Sequence, residues 1–291
     1  MEYFAQQAIN AIQLGSIYAL IALGYSLVYG VLSMINFAHG DVFMVGAFAC
    51  LLLVSLVPLP FIVALLAVMV ITAVLGALIE RVAYRPLRQA PRVSAIITAL
   101  GCGLVIQNTT LSLSPYARPM PRLFESRTFE FAGVTLNSLQ LFIIGVSGVL
   151  MLGLDFVIRK TDWGIALRAT ASDRATVPLM GVPVNRVISL TFAVGGALAG
   201  AAGVLYSQAY PVVGAAMGAL IGWKAFVAAV IGGIGSIRGA VLGGYILGVV
   251  EVTTVVVLPS TWRDLIAYSL LLVILIFKPN GLLGSAAQQK V

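Results

Sequence analysis

Long apolar runs separated by short polar interruptions set the pattern of this chain. The runs occupy about 11 to 31, 42 to 57, 60 to 79, 93 to 113, 138 to 158, 187 to 209, 221 to 234, 240 to 258 and 264 to 277. A helix that crosses a bilayer needs about 20 apolar residues, and most runs reach that length. Inside hydrocarbon every backbone amide and carbonyl must be satisfied within its own segment, and no run alternates apolar and polar residues as a barrel strand does. The pattern predicts an all-α, polytopic integral membrane protein with eight or nine hydrophobic segments. The two shortest runs, 221 to 234 and 264 to 277, are marginal as spans, so some segments are expected to be broken or re-entrant.

Composition excludes a water-soluble surface. Hydrophobic residues make up 60% of the 291 and charged ones 9%, against roughly 45–50% and 25% in soluble domains. The first basic residue is Arg81, so the N-terminus lacks the positive region of a cleavable secretory signal and the first segment is expected to be retained. Arg81, Arg85, Arg88 and Arg92 crowd one loop, and Arg159, Lys160, Arg168, Arg174 and Arg186 crowd another. Basic loops face the cytoplasm. Two spans separate these loops, and Lys278 and Lys290 put the C-terminus on the same side. The loop at about 114 to 137 is then external, although it carries Arg118, Arg122 and Arg127 against Glu125 and Glu130. The net charge of +7 is mostly positive-inside charge and points to lipid rather than nucleic acid. Trp163, Trp223 and Trp262 fall at or near segment ends, where indole rings favour the headgroup region or simply pack. No linker or low-complexity tract interrupts the chain, which reads as one transmembrane domain over 1–291.

Several chemistries are missing. None of the four lysines follows a glycine, so no phosphate-binding loop is present and ATP is not hydrolysed by this chain. With His39 as the only histidine, a multi-histidine zinc or haem site is excluded, and no serine nucleophile motif accompanies it. Cys50 and Cys102 lie in apolar runs as packing residues. The chain is expected to be no enzyme, with no catalytic residue, no metal and no cofactor.

The polar interruptions carry the functional reading. Ser33 to Asp41 ends one run and opens the next, and Asn36, His39 and Asp41 there must face protein, a water-filled cavity or the membrane surface. This is a cytoplasmic turn in which Asn36 or Asp41 caps the next helix, or a broken helix that lines a translocation path, and the two readings can both hold. The second interruption runs from Ile231 to Gly244. Gly235, Gly239 and Gly243 repeat every four residues, as do Gly232, Ser236, Ala240, Gly244 and Gly248, and on a helix these ladders allow close packing. Arg238 within it needs water, headgroups or a carboxylate, and Glu251 serves only if the chain folds back. The third feature is the segment 159–186, whose stretch from Ala166 to Gly181 fits a short amphipathic helix on the cytoplasmic face, ended by Pro178 or Gly181. Such a helix is either anchored to lipid or a docking element for a cytoplasmic partner.

These features together resemble the LivH-like permeases of bacterial ABC importers for branched-chain amino acids. The resemblance covers nearly the whole chain and rests on Ile35-Asn36-Phe37-Ala38-His39-Gly40-Asp41 with Gly46-Ala47, on Glu80-Arg81-Val82-Ala83-Tyr84-Arg85-Pro86-Leu87-Arg88, and on Lys224-Ala225-Phe226 leading into Gly232-Gly233-Ile234-Gly235-Ser236 and Gly239. It implies a second homologous permease subunit, two cytoplasmic ATP-binding subunits and an extracytoplasmic substrate-binding protein, all at the bacterial inner membrane. It implies alternating access, and the two polar interruptions then put Asn36, His39, Asp41, Gly232, Gly233, Gly235 and Ser236 on the pathway or gate. Arg168, Ala169, Asp173, Arg174 and Gly181 would couple to the ATPases, and Gly239, Gly243, Gly244 and Gly248 would pack helices. Related permeases carry urea or short amides. A different class, an ion-coupled secondary transporter or channel, would need a carboxylate relay, for which Asp41, Asp155 and Glu251 are the candidates.

Overall fold

The computed structural model describes residues 2–88, 90–123, 126–131 and 134–284. Lys290 and Glu125 lie outside the described residues. The described residues form ten α-helices, nine on the apolar runs and one, α6, between two of them: α1 Glu2–Leu32, α2 His39–Leu56, α3 Phe61–Ile79, α4 Arg92–Leu113, α5 Ser138–Lys160, α6 Asp162–Ser172, α7 Val184–Ala209, α8 Met217–Gly232, α9 Ile237–Val257 and α10 Trp262–Phe277. Seven are long and apolar enough to cross a membrane. The two marginal runs became α8 and α10, at 16 residues each. The chain is a multi-pass, all-α membrane protein.

Two ends of the bundle are chemically distinct. At one end α3 continues through a π-helical turn, Glu80–Tyr84, into a tight turn at Arg85–Leu87, where Pro86 lacks the amide hydrogen a longer helix needs. That end also holds α6 and the segment after α10, whose Leu282 and Leu283 amides donate to Ile231 and Gly232 at 2.9 Å. The other end carries antiparallel strands that the apolar pattern did not announce. Strands β2 Thr128–Phe131 and β3 Val134–Asn137 form a hairpin, and β1 Arg118–Pro119 pairs with β4 Val212–Val213. Gln6 of α1 accepts from the Thr135 amide at 3.0 Å, and Gln140 donates to Asn10 at 2.9 Å. The start of α1 therefore lies beside the hairpin, opposite the basic loops.

Helices α1 and α7 form the centre. In its most apolar stretch α1 is 89% buried, against 11% for α4. Water-driven burial gives no advantage between helices in lipid, so close backbone contact has to supply the packing. On α9, a Cβ at Gly244 would stand 2.5 Å from Ala19 Cα, and one at Gly248 would stand 2.6 Å from Gly15 Cα. The other two glycines of that stretch, Gly239 and Gly243, face α8 at Gly232 and Ala228.

Candidate translocation site

Helix α2 begins inside the bundle. After Leu32 the chain turns at Ser33, whose φ of 52° is left-handed, and α2 opens with His39 against Gly24. Gly24 lies eight residues before the end of α1, or about 12 Å of helix. His39 is 2% exposed, packs edge-on to Tyr25 at 4.7 Å, and its Nε2 has no hydrogen-bond partner. Asn36 is buried and accepts from the Tyr84 hydroxyl at 3.2 Å, which also donates to the Ile35 carbonyl. The capping expectation for Asn36 and Asp41 is overturned: the cap is Ala38 with no side-chain hydrogen bond, because Asn36 is already held by Tyr84 and Asp41 points away.

Asp41 is directed between α4 and α8. A Cβ at Gly103 would lie 2.5 Å from Oδ2, and one at Gly218 would lie 2.8 Å from Oδ1, so a side chain at either position would push the carboxylate aside. The residue is 8% exposed and Oδ1 has no hydrogen-bond partner. Beside it opens a cleft of about 110 Å³ lined by Tyr25, Phe37, Leu100, Leu104, Gln107 and Trp223. Phe37 packs on Trp223 at 5.4 Å and on Phe226 at 5.8 Å. Trp223 therefore lies within α8 in an aromatic cluster rather than at a segment end. Gly40 packs against Gly218 and Gly222, so the first turns of α2 and α8 meet here.

Gly232, Gly233, Gly235 and Ser236 lie elsewhere. Gly218 and Gly232 are fourteen residues apart on α8, about 21 Å of helix axis. The ladder that treats Gly232 to Gly248 as one helix is broken, because Gly233 and Gly235 take φ of 108° and 92° and turn the chain between α8 and α9. Ser236 caps α9, accepting from the Gly239 amide at 3.1 Å. Gly235 sits against Tyr29 and Gly30 near the end of α1, and Gly281 and Gly284 cover Gly233. Arg238 is exposed. The partner considered for it, Glu251, binds other groups: Lys224 at 3.0 Å and the Tyr18 hydroxyl at 3.1 Å. Lys224 also reaches Asp264 at 2.7 Å. Asp155 pairs on the surface with Arg159 at 2.7 Å. Asp41, Asp155 and Glu251 thus occupy three separate environments.

The segment 159–186 is shorter in helix than its pattern suggested. Helix α6 ends at Ser172, because the Asp173 carboxylate accepts from the amides of Ala175 and Thr176 and from the Thr176 hydroxyl, closing a local turn that competes with the helix. A short 3₁₀ turn, Val177–Met180, follows and ends at Gly181 with φ of 79°. Arg168 donates to the Ile158 carbonyl and ties α6 to the end of α5. Ala169 and Arg174 are half-buried. Leu179 and Met180, 85% and 80% exposed, form an apolar knob that sequence reading passed over.

The sequence profile of a family described as the branched-chain amino acid transport system permease component matches residues 7–275. The chain belongs to this permease family. The permease is 41% identical to the high-affinity branched-chain amino acid transport system permease protein BraD of Pseudomonas aeruginosa, over 99% of this chain and 98% of that protein. Identity to LivH of Escherichia coli is 40% over the same shares. A solved structure, PsaBC from Streptococcus pneumoniae in complex with Fab, has a similar fold, with a TM-score of 0.50, 17% identity, and coverage of 96% of the permease and 93% of that chain. Within the permease, sequence reading missed Tyr25, Gly103 and Gly218 around Asp41, and the Glu80, Arg88, Asn185 and Ser189 cluster that joins the π-helical turn to α7. A lone acid in an apolar run signals a buried site, but its neighbours come from other helices.

Proposed function

We propose that this permease, with a second homologous subunit, forms the pathway of an ABC importer for branched-chain amino acids in the bacterial inner membrane. The carrying observation is full-length identity near 40% to permeases named for high-affinity branched-chain amino acid transport. In this reading the whole chain is one transmembrane domain, the basic end faces the cytoplasm and the hairpin end faces an extracytoplasmic substrate-binding protein. Two cytoplasmic ATPases dock on the segment 159–186. Leu179 and Met180 supply the apolar contact, while Arg168, Ala169, Asp173, Arg174 and Gly181 hold its shape.

ATP binding and hydrolysis favour one of two permease conformations through differential contact with that segment. The pathway runs past Asn36, His39 and Asp41 at the α2–α8 junction. The turn containing Gly232, Gly233, Gly235 and Ser236 forms the gate nearer the cytoplasm. No bond in the solute is made or broken, so the chain needs no catalytic residue.

The test is uptake of labelled leucine into liposomes holding the complete complex, with ATP enclosed with the ATPases. ATP-dependent leucine uptake is expected. Uptake driven by an ion gradient without ATPases overturns the reading, and uptake of urea or a short amide in place of leucine overturns its substrate.

A further inference from the structure

Asp41, Glu80 and Glu251 are the carboxylates buried among the described residues. Glu80 is paired with Arg88, and Glu251 with Lys224 at 3.0 Å. Asp41 has no basic partner, and its Oδ1 has no hydrogen bond. A buried carboxylate without a counter-charge is costly, and inside a membrane such a group marks a functional position. Local dipoles offset part of that cost. Asp41 stands in the first turn of α2, and the first turn of α8 abuts it at Gly218, so two helix N-termini direct partial positive charge towards it. They favour an anion there yet leave an oxygen free to accept.

The surroundings define what that oxygen accepts from. Phe37 and Trp223 offer aromatic faces beside the carboxylate, a surface that attracts a cation. Leu100 and Leu104 line the same cleft with alkyl surface, and Gln107 adds an amide. At about 110 Å³ the cleft is well below the ≈ 300–1,000 Å³ of ordinary ligand pockets, so it accommodates a small head group and leaves the rest of the ligand towards α4.

We propose that Asp41 is the counter-ion for the α-ammonium group of an amino acid in transit. This rests on the importer reading above and adds the chemistry by which the pathway recognises its solute. The ammonium donates to Oδ1 and lies against Phe37 and Trp223. The Gln107 amide donates to the solute carboxylate, and the alkyl side chain rests on Leu100 and Leu104. The pathway then discriminates for a cation attached to an apolar body, and a neutral solute such as urea gains no charge pairing from Asp41.

Asp41→Asn keeps the shape and removes the charge. In the complete reconstituted complex, leucine uptake is expected to fall roughly tenfold or more, the order set by losing a hydrogen bond to a charged group. Stimulation of ATP hydrolysis by the leucine-loaded substrate-binding protein stays at its wild-type value, which a folding defect would not allow. Gly103→Ala, whose Cβ displaces Oδ2, gives the same split between lost uptake and retained hydrolysis. Wild-type uptake by Asp41→Asn overturns the proposal. Where that variant does not assemble, Gly103→Ala decides, and wild-type uptake by it overturns the proposal equally. A wild-type complex that takes up no leucine sinks the importer reading itself, a result distinct from a wild-type complex that transports leucine without regard to Asp41.

Discussion

Lys224 and Glu251 show what a buried ion pair demands of single residues. Glu251 is 1% exposed and Lys224 8%, and their contact links α8 to α9 while Tyr18 adds a hydrogen bond from α1. Removing Lys224 leaves Glu251 with only the Tyr18 hydrogen bond and a longer contact to Arg263 at 3.8 Å; breaking a buried pair costs up to about 3–5 kcal/mol, whereas replacing both partners with neutral groups of similar size is often close to neutral. Lys224→Met is therefore expected to lower the midpoint of thermal unfolding in detergent sharply. Lys224→Met combined with Glu251→Gln should recover most of the loss, although Asp264 then also loses its lysine. A double variant no more stable than the single one would count against the pair as the source. At this scale the sequence made Asn36, His39, Asp41 and Glu251 conspicuous, because polarity inside an apolar run is visible in one dimension. Their partners were not visible. Tyr84 for Asn36, Lys224 for Glu251 and the two glycines flanking Asp41 depend on which helices meet, and hydropathy carries no such information.

Among elements, α6 and α9 give opposite lessons. The helical pattern of 166 to 181 suggested one helix, yet Asp173 closes a turn with its own carboxylate and divides the segment. Its role in that turn is acceptance of hydrogen bonds, which asparagine can partly reproduce. Asp173→Asn is thus expected to keep ATP hydrolysis coupled to uptake in reconstituted complexes, and Asp173→Ala to loosen it. Gly181→Leu forces a side chain onto a left-handed φ and is expected to uncouple more strongly while insertion is retained. Equal coupling in all three would show that the shape of this turn does not matter to docking. On α9 the spacing of small residues was legible, and the structure sets Gly244 and Gly248 against α1. Gly244→Leu is expected to cost about 1–3 kcal/mol of stability through overpacking, read as a lowered unfolding midpoint. What the spacing could not reveal is the turn at Gly233 and Gly235, since a ladder of glycines looks the same in a helix and across a break.

Across the whole molecule, the positions of the helices followed from the demand that lipid places on backbone polar groups, so the apolar runs located all but α6 within a few residues, save that α1 begins at Glu2, nine residues before its run. The end of the bundle that holds the N-terminus did not follow, because no basic residue precedes Arg81, and it is the contacts of Gln6 and Asn10 with the hairpin and α5 that set it opposite the basic loops. The hairpin itself, Thr128–Phe131 with Val134–Asn137, alternates over too few residues to stand out beside 20-residue runs. Burial is also unevenly shared. The centre lies in α1 and α7, whereas α4 is only 11% buried within this chain. Leu100, Gly103, Leu104 and Gln107, the α4 side of the cleft at Asp41, all belong to that loosely held helix. Amide hydrogen exchange in the isolated permease should accordingly be fastest along α4 and slowest along α1, and the reverse order would contradict this division. A door hung on the least anchored post can swing without disturbing the house. On the importer reading proposed above, a shift of α4 would uncover Asp41 while the carboxylate stayed on α2, with no repacking of the core.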